Sequence, residues 1–487
     1  MKKRLLAVTM AMIMAASTLV ACGDTAATTT DDAATTTDAA TDDAAATDDA
    51  AATDDAAATD DAAPVIDDSA YSVSDGGQVL NIYCWNEEFK SRVTDHYPGY
   101  AEVDATHGTI GDVQVVWNIT PSDDNAYQNN LDETLLGQAD AAADDKIDLF
   151  LVEADYALKY VDTEYTVPVT MLGVTDADVA DQYQYTKDVV TDAAGNLKGV
   201  SWQGCPGVLI YNRQAAIDVL GSDDAETVQA ATDNWDKFLE TADLMKAGGY
   251  NMTATTNDSF RVFSNNVTSK WVVDGKINVD ANIKAWVDMS KAMVDAGVTT
   301  TSDLWSDDWS KGFYPEGKVF CYFGPAWLIN FCMAADDASS IAAQGGWGAT
   351  KGPQGFFWGG TWICAANGTD NAAEIADIMK QLTCNADIMT EIVVADDDFV
   401  NNKPAMDAMA ADDSYSSSVY GGINPLGMYC AGVETIDLSN LSSYDQGCNE
   451  SFQAAMKDYF EGNYATYEEA LDAFYVAVQE KYPELTY

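Results

Sequence analysis

Five tryptophans stand where loops leave strands. Trp85 closes the run Val79-Leu-Asn-Ile-Tyr-Cys-Trp85, and Trp202 precedes the bend Gln203-Gly-Cys-Pro-Gly207. Trp327 follows Gly324-Pro325, and Trp358 and Trp362 bracket Gly359-Gly360-Thr361. An indole face stacks on flat apolar surfaces, while Asp, Asn and Gln side chains bind hydroxyl groups. Together these chemistries suit a polyhydroxylated ring such as a sugar. Core packing is the alternative for each indole taken singly. Trp286, on the helical stripe Ile283, Trp286, Val287, Met293 and Val294, is read as core. Convergence of several of these indoles on one cleft is the functional expectation.

Other chemistries are poorly supported. The sequence has no Gly-x-Ser-x-Gly elbow, no His-Glu-x-x-His and no EF-hand loop. Gly312-Phe-Tyr-Pro-Glu-Gly317-Lys318 fits part of a phosphate-binding loop, but Val319 stands where Mg²⁺ binding needs a hydroxyl. Lys318 also opens a strand where such a loop needs a helix N-terminus, so a turn into a strand is the better account. Acidic residues are so common that any sequence spacing is available for the two carboxylates, about 5–10 Å apart in space, that a glycoside hydrolase needs. A surface-anchored hydrolase is therefore the alternative function. With His96 and His107 the only histidines and no Cys-x-x-Cys, neither a metal site nor a cofactor is expected.

The elements that must position these residues alternate. Val79–Trp85, Val113–Ile119 and Ile147–Val152 read as strands. Between them, Asn86–Tyr97 reads as a helix candidate, and about 125–142 as a helix with Tyr127, Leu131 and Leu135 on one face. A short helix follows from about Asp155. This β-α-β-α-β order predicts a parallel sheet with helices on both faces, and ligands bind such sheets at the carboxyl ends of their strands. Further on, Trp271–Val279 reads as a hairpin turning at Asp274-Gly275. Lys318–Phe323 and Thr361–Ala365 read as strands. Thr466 and Glu469 form a capping box for a last helix bearing Leu471, Phe474, Tyr475, Val478 and Tyr482.

The chain has 487 residues and a formal charge of −55, which excludes binding to nucleic acid or anionic membranes through basic stripes. The N-terminus is an address. Lys2-Lys3-Arg4 and the apolar stretch Leu5–Val20 read as a secretory signal. Leu19-Val20-Ala21-Cys22-Gly23 resembles the lipobox of bacterial lipoproteins, which implies that Cys22 carries the lipid anchor. No later stretch reaches about 18 uninterrupted apolar residues, so nothing else is expected to span a bilayer. Residues 24–63 contain only Asp, Thr and Ala, with Asp pairs recurring every six residues from Thr41, and read as a solvated tether. The other cysteines are 84, 205, 321, 332, 364, 384, 430 and 448. Their even number in an exported chain invites a disulfide reading, but several sit inside apolar runs, which favours buried thiols.

Five segments together resemble the extracellular solute-binding proteins of ABC importers, family 1, the maltose-binding-protein-like carbohydrate class. They are Val79–Trp85 with Asn86-Glu87-Glu88, Lys146-Ile-Asp148-Leu-Phe, Gly207-Val-Leu-Ile-Tyr211-Asn212-Arg213, Gly317–Trp327, and Asn401-Asn-Lys403-Pro404 followed by the helix from Thr466. The resemblance implies an α/β, two-lobe periplasmic-binding-protein-like (type II) fold with a hinge between lobes. It places a first lobe at 76–206 with 355–400 and a second at 207–354 with 401–487, behind a signal at 1–22 and a disordered tether at 23–75. It implies a monomeric, lipid-anchored, non-enzymatic binding protein on the outer face of the bacterial cytoplasmic membrane. Such a protein captures a sugar, preferably an oligosaccharide, closes on it and delivers it to permease subunits. The candidate ligand contacts are Trp85, Asn86, Glu87, Asp155, Trp202, Trp327, Trp358 and Trp362. An adhesin or structural lipoprotein, with no deep cleft, is the third class.

Overall fold

The computed structural model describes residues 68–487. The expected signal sequence, Cys22 and the tether up to residue 67 lie outside the described residues. Residues 71–77, at the end of the expected tether and the start of the first lobe, are already fixed. Their backbone groups bond to 367–373, as in Ser74 N–H to Thr369 O (3.1 Å) and Gly77 N–H to Asp370 O (2.8 Å).

Strands β1 (Val79–Cys84), β2 (Tyr100–Glu102), β3 (His107–Ile110), β4 (Val113–Ile119) and β5 (Leu149–Glu153) belong to a first sheet. β1 lies between β4 and β5 and pairs with both in parallel. Leu80, Ile82 and Cys84, on one face of β1, are fully buried. On the far side of β4, β3 and β2 extend the sheet antiparallel. These two strands are short and weakly apolar, so periodicity does not signal them.

Asp148 ties β1 to β5. Its buried carboxylate accepts hydrogen bonds from Asn81 N–H (2.8 Å), Thr369 Oγ1 (2.7 Å) and Asn371 Nδ2 (3.1 Å). Asn81 Nδ2 in turn donates to the carbonyls of Asp144 and Lys146, both at 2.9 Å. The Lys146-Ile-Asp148 motif is thus a polar rivet that joins β1 to the start of β5, at the ends of the strands away from Trp85 and Glu153.

A second sheet follows, from β6 (Pro206–Asn212), β7 (Asn251–Thr253), β10 (Val319–Gly324), β11 (Trp347–Thr350) and β12 (Phe356–Phe357), with the separate hairpin β8 (Val272–Val273) and β9 (Lys276–Ile277). The order is β11-β6-β10-β7, with β12 also on β6. β6 and β10 are buried along their whole length, as their continuous apolar runs require. The hairpin turns with Asp274 and Gly275 both at positive φ (51° and 74°), the geometry an Asp-Gly pair favours. Lys318 precedes β10, so the phosphate-loop lookalike leads into a strand. The chain then returns to the first sheet, where β13 (Thr361–Ala365) pairs antiparallel with β5.

Helices α1 (Glu88–His96) and α2 (Ala126–Gly137) follow β1 and β4, and Tyr127, Leu131 and Leu135 are buried. The helix Ala281–Ala296 buries Trp286 among Phe260, Phe452 and Phe460. In the last helix, Tyr467–Lys481, Thr466 Oγ1 caps Glu469 N–H at 3.2 Å. The Glu469 carboxylate reaches back to Ala465 N–H (2.7 Å), one residue beyond the expected capping-box partner.

Three segments pass between the sheets side by side. Gly204 N–H bonds to Phe399 O (2.8 Å), Asn401 N–H to Trp202 O (2.7 Å) and Trp358 N–H to Cys205 O (3.3 Å). Asn401 also binds Tyr183 N–H (3.0 Å) and Ser201 O (3.1 Å) through its side chain. Asn402 caps the helix Lys403–Ala410, which has Pro404 in its first turn. The Asn-Asn-Lys-Pro motif thus locks one passage and restarts a helix. The eight described cysteines are free thiols, most of them buried. No helix among the described residues is long and apolar enough to cross a membrane.

Candidate functional site

The connections from β1 and β4 run to opposite sides of the first sheet, which leaves a crevice at the carboxyl ends of β1 and β5. A cavity of about 210 Å³ opens there. From the first sheet it is lined by Trp85, Asn86, Glu88, Glu153 and Thr361, and from the crossings by Gln203, Trp358, Gly359 and Gly360. Trp305, Trp327 and Phe331 of the second lobe form the opposite wall.

Three of these indoles, Trp305 and Trp327 of that wall and Trp358 of the crossings, touch one another. Trp327 meets Trp358 edge to face at 5.4 Å, and Trp305 lies over both, at 6.4 Å from Trp327 and 5.7 Å from Trp358. Trp305 is 54% exposed and sits at φ 69°, a left-handed conformation that is strained for a bulky side chain. Its base is fixed by Trp309, whose indole N–H donates to the buried Asp258 carboxyl at 2.7 Å. Gly359 (φ 74°) lets the chain approach Trp327, since a Cβ there would come within 3.0 Å of the ring. Across the cleft, Trp85 is held edge-on by Tyr127 and Tyr156.

The polar groups form two clusters. In the first, Gln203 Nε2 donates to Glu88 Oε1 (2.8 Å) and to Asp398 Oδ2 (3.1 Å). Arg92 is shared among Asp396 (2.9 Å), Asp398 (3.9 Å) and Glu88 (4.0 Å). Burial pushes the Glu88 carboxyl up to about 7; Arg92 opposes the shift and Asp398 adds to it. In the second, Glu153 accepts from Asp155 N–H at 2.8 Å. Burial, then the Asp155 charge, pushes Glu153 up to about 8. Asp155 itself forms a two-pronged ion pair with Arg261. Beneath both clusters lies Cys205, whose thiol burial holds well above its ordinary value, so it is not a thiolate nucleophile. Among the described residues, no group of His, Cys, Asp and Glu is arranged to hold a metal ion.

Of the residues singled out in the sequence, Trp85, Asn86, Trp327 and Trp358 line this cavity. Asp155 lies beside it, facing Arg261, on a narrower cavity that also reaches Trp358. Glu87 is exposed at the start of α1, and its neighbour Glu88 turns inward. Trp202 and Trp362 are core residues, both 0% exposed. Trp202 stacks on Phe89 at 5.5 Å, leaving Gln203 to face the cleft. Trp362 follows Thr361 on β13, and successive strand side chains point to opposite faces, so its indole N–H bonds inward to Thr186 O at 2.8 Å. Cys22 lies outside the described residues.

Glu88, Glu153, Gln203, Trp305, Phe331 and Arg261 escape the sequence reading. Trp305 had a signal available, a lone indole in the polar run Thr299–Asp308 with no apolar periodicity around it.

A family model described as bacterial extracellular solute-binding protein matches residues 103–419. No curated protein sequence matches the chain. Among solved structures, a crystal structure of an extracellular solute-binding protein of family 1 is similar at a TM-score of 0.68 and 17% identity, over 82% of this chain and 99% of that one. An ABC-transporter-associated binding protein from B. animalis subsp. lactis Bl-04, in complex with β-1,6-galactobiose, is similar at 0.61 and 17% identity, over 84% and 99%. The galacto-N-biose-/lacto-N-biose I-binding protein of the ABC transporter from Bifidobacterium longum is similar at 0.61 and 13% identity, over 85% and 100%. These likenesses show the two-lobe fold.

Proposed function

The chain belongs to the bacterial extracellular solute-binding proteins, and from that premise we propose that it captures a sugar or short oligosaccharide between its lobes for an ABC importer. The observation that carries the reading is the wall of Trp305, Trp327 and Trp358 facing Glu88, Glu153, Gln203 and Asn86 across one cleft. Indole faces take the apolar face of a pyranose ring, while carboxyl and amide groups take its hydroxyls. Structural neighbours of the same fold hold β-1,6-galactobiose and lacto-N-biose, which supports a glycan of that kind. The family is one of binding proteins, not of enzymes, so the glycoside-hydrolase alternative loses its footing.

In this reading the first lobe comprises 76–206 with 355–400 and the second 207–354 with 401–487. Cys22 carries the lipid, the Asp/Thr/Ala tether spaces the lobes from the outer face of the cytoplasmic membrane, and the closed monomer meets the permease subunits. The lipobox and the low-complexity composition of 24–63 support the anchor and the tether. A thermal-shift screen with mono- and oligosaccharides tests the core of the reading, with hits confirmed by calorimetry and product analysis. Stabilisation by a glycan without hydrolysis is the expected result. Silence across the panel, or release of shortened glycans, would overturn it.

A further inference from the structure

The aromatic cavity carries ionisable groups of one kind. Glu88 and Glu153 line it, and no Lys, Arg or His does. The cations that act on these two carboxyls are Arg92 and Arg261, and neither lines the cavity. Arg92 pairs with Asp396 at 2.9 Å, and Arg261 with both oxygens of Asp155. Each lining carboxyl also keeps one oxygen open. Glu153 Oε2 accepts Asp155 N–H and Glu88 Oε1 accepts Gln203 Nε2, both at 2.8 Å. Glu153 Oε1 and Glu88 Oε2 have no hydrogen-bond partner among the described residues. The rings of Trp85, Trp305, Trp327, Trp358 and Phe331 complete the enclosure.

We infer that the solute taken here is an amino sugar, whose ammonium group sits on the indole faces beside the carboxyls of Glu88 and Glu153. The inference rests on the carbohydrate-binding reading and names the class of sugar. An ammonium is drawn to the negative face of an aromatic ring, and tryptophan is the best such partner. Its N–H donors also match carboxylate oxygens, which only accept. A hydroxyl in the same place carries no charge for either the ring faces or the carboxylates to attract. A uronate would meet two carboxyls with no uncommitted cation in the lining.

The state of the two carboxyls agrees with this. Burial raises Glu88 to about 7, where Arg92 opposes the shift and Asp398 and Asp396 add to it. Burial and then Asp155 raise Glu153 to about 8, against Arg261. The protein's own cations therefore leave both groups short of compensation. A positive charge set beside a carboxyl favours its ionised form, so an ammonium supplies the countercharge that the fold withholds. The low polarity that penalises a lone carboxylate strengthens its attraction to that cation.

Matched pairs of sugars test it, by calorimetry on the wild-type protein at neutral pH. The pairs are glucosamine against glucose, galactosamine against galactose, and the β-1,4 dimer of glucosamine against cellobiose. Glucuronate and putrescine, an aliphatic diamine, are measured alongside. At least one amine should bind about tenfold or more tighter than its hydroxyl twin, and glucuronate no tighter than glucose. Glu153→Gln and Glu88→Gln remove charge with little change of shape. At least one of them should bring the amine-to-hydroxyl affinity ratio close to unity, and losses common to both twins cancel in that ratio. The inference is overturned if no amine outbinds its twin, if glucuronate outbinds glucose, or if putrescine matches the best amino sugar. It is also overturned if the ratio survives in both folded variants; where a variant fails to fold, the wild-type pairs decide. Hydroxyl twins that bind as well as the amines leave the carbohydrate reading standing. Silence of every sugar here overturns the inference, and the wider glycan panel then decides that reading separately.

Discussion

Trp202 and Trp305 make an instructive pair. Trp202 sits beside a Gly- and Pro-rich bend, the context expected of a binding loop, yet it is fully buried and stacked on Phe89. Trp305 sits in an unremarked polar run, yet it stands exposed over Trp327 and Trp358 on a strained backbone. Both are anchored by a neighbouring aromatic ring. One is held where dispersion and water exclusion reward it fully, the other where its face stays open at some local cost. The contrast separates an indole that holds a lobe together from an indole whose face stays open to the cleft.

The largest break in that contrast is Trp202→Ala. Removing a fully buried indole costs about 3–5 kcal/mol, measured by denaturant unfolding, while glycan binding by the folded fraction persists. An equal loss of glycan affinity in the folded fraction would place Trp202 among the ligand contacts instead.

Next comes pH. Glu88 and Glu153 have folded-state values raised to about 7 and about 8, as do Asp258 and Asp445 to about 7. Between the ordinary carboxyl range and these values the folded state holds more protons than the unfolded chain. The stability these groups contribute is therefore complete below about pH 4 and is lost as pH rises to about 8, at up to about 1.4 kcal/mol per pH unit per group. Unfolding titrations should show Glu153→Gln with a shallower decline than wild type. An equal slope would remove Glu153 from the account.

Trp305 is subtler. Trp305→Gly relieves the positive φ and should stay within about 1 kcal/mol of wild type, with Trp305→Ala the less stable of the two because it keeps the strain. Both should weaken glycan binding about tenfold, the loss of roughly one aromatic contact. The reverse order of stabilities would show that the left-handed backbone is not what the site retains.

The smallest effect is expected from Glu87→Gln, which should stay within about 0.5 kcal/mol in stability and leave glycan binding unchanged. Glu88→Gln, one residue on, should alter binding by calorimetry, because Glu88 is the carboxyl joined to Gln203.

How much of this was legible in the sequence follows from what each signal encodes. Val113–Ile119 and Thr361–Ala365 coincide with β4 and β13, since alternation or continuous apolarity over a strand is a local property. The Asp-Gly hairpin and the last helix follow from turn and cap chemistry for the same reason. The site was legible to the level of the segment and not of the residue. Glu87 against Glu88, Trp202 against Gln203 and Thr361 against Trp362 are one-residue alternatives. Each is decided by which face of an element meets the cleft, and that depends on the partner packed behind it. The role of Asp155 depends on Arg261, more than a hundred residues away on the other lobe, and no local pattern carries such a pairing.

The three crossings at 202–207, 356–358 and 399–401 have a mechanical consequence. Hydrogen-bonded side by side, they form a narrow ribbon rather than three independent strings. A ribbon resists shear and in-plane bending but yields readily to flexing out of its plane. The lobes are thereby left free to bend across the ribbon's plane and to twist about its length, so two distances in different directions are needed to report their excursion. Any substitution that unpairs one crossing would add freedom to that motion rather than merely increase its amplitude.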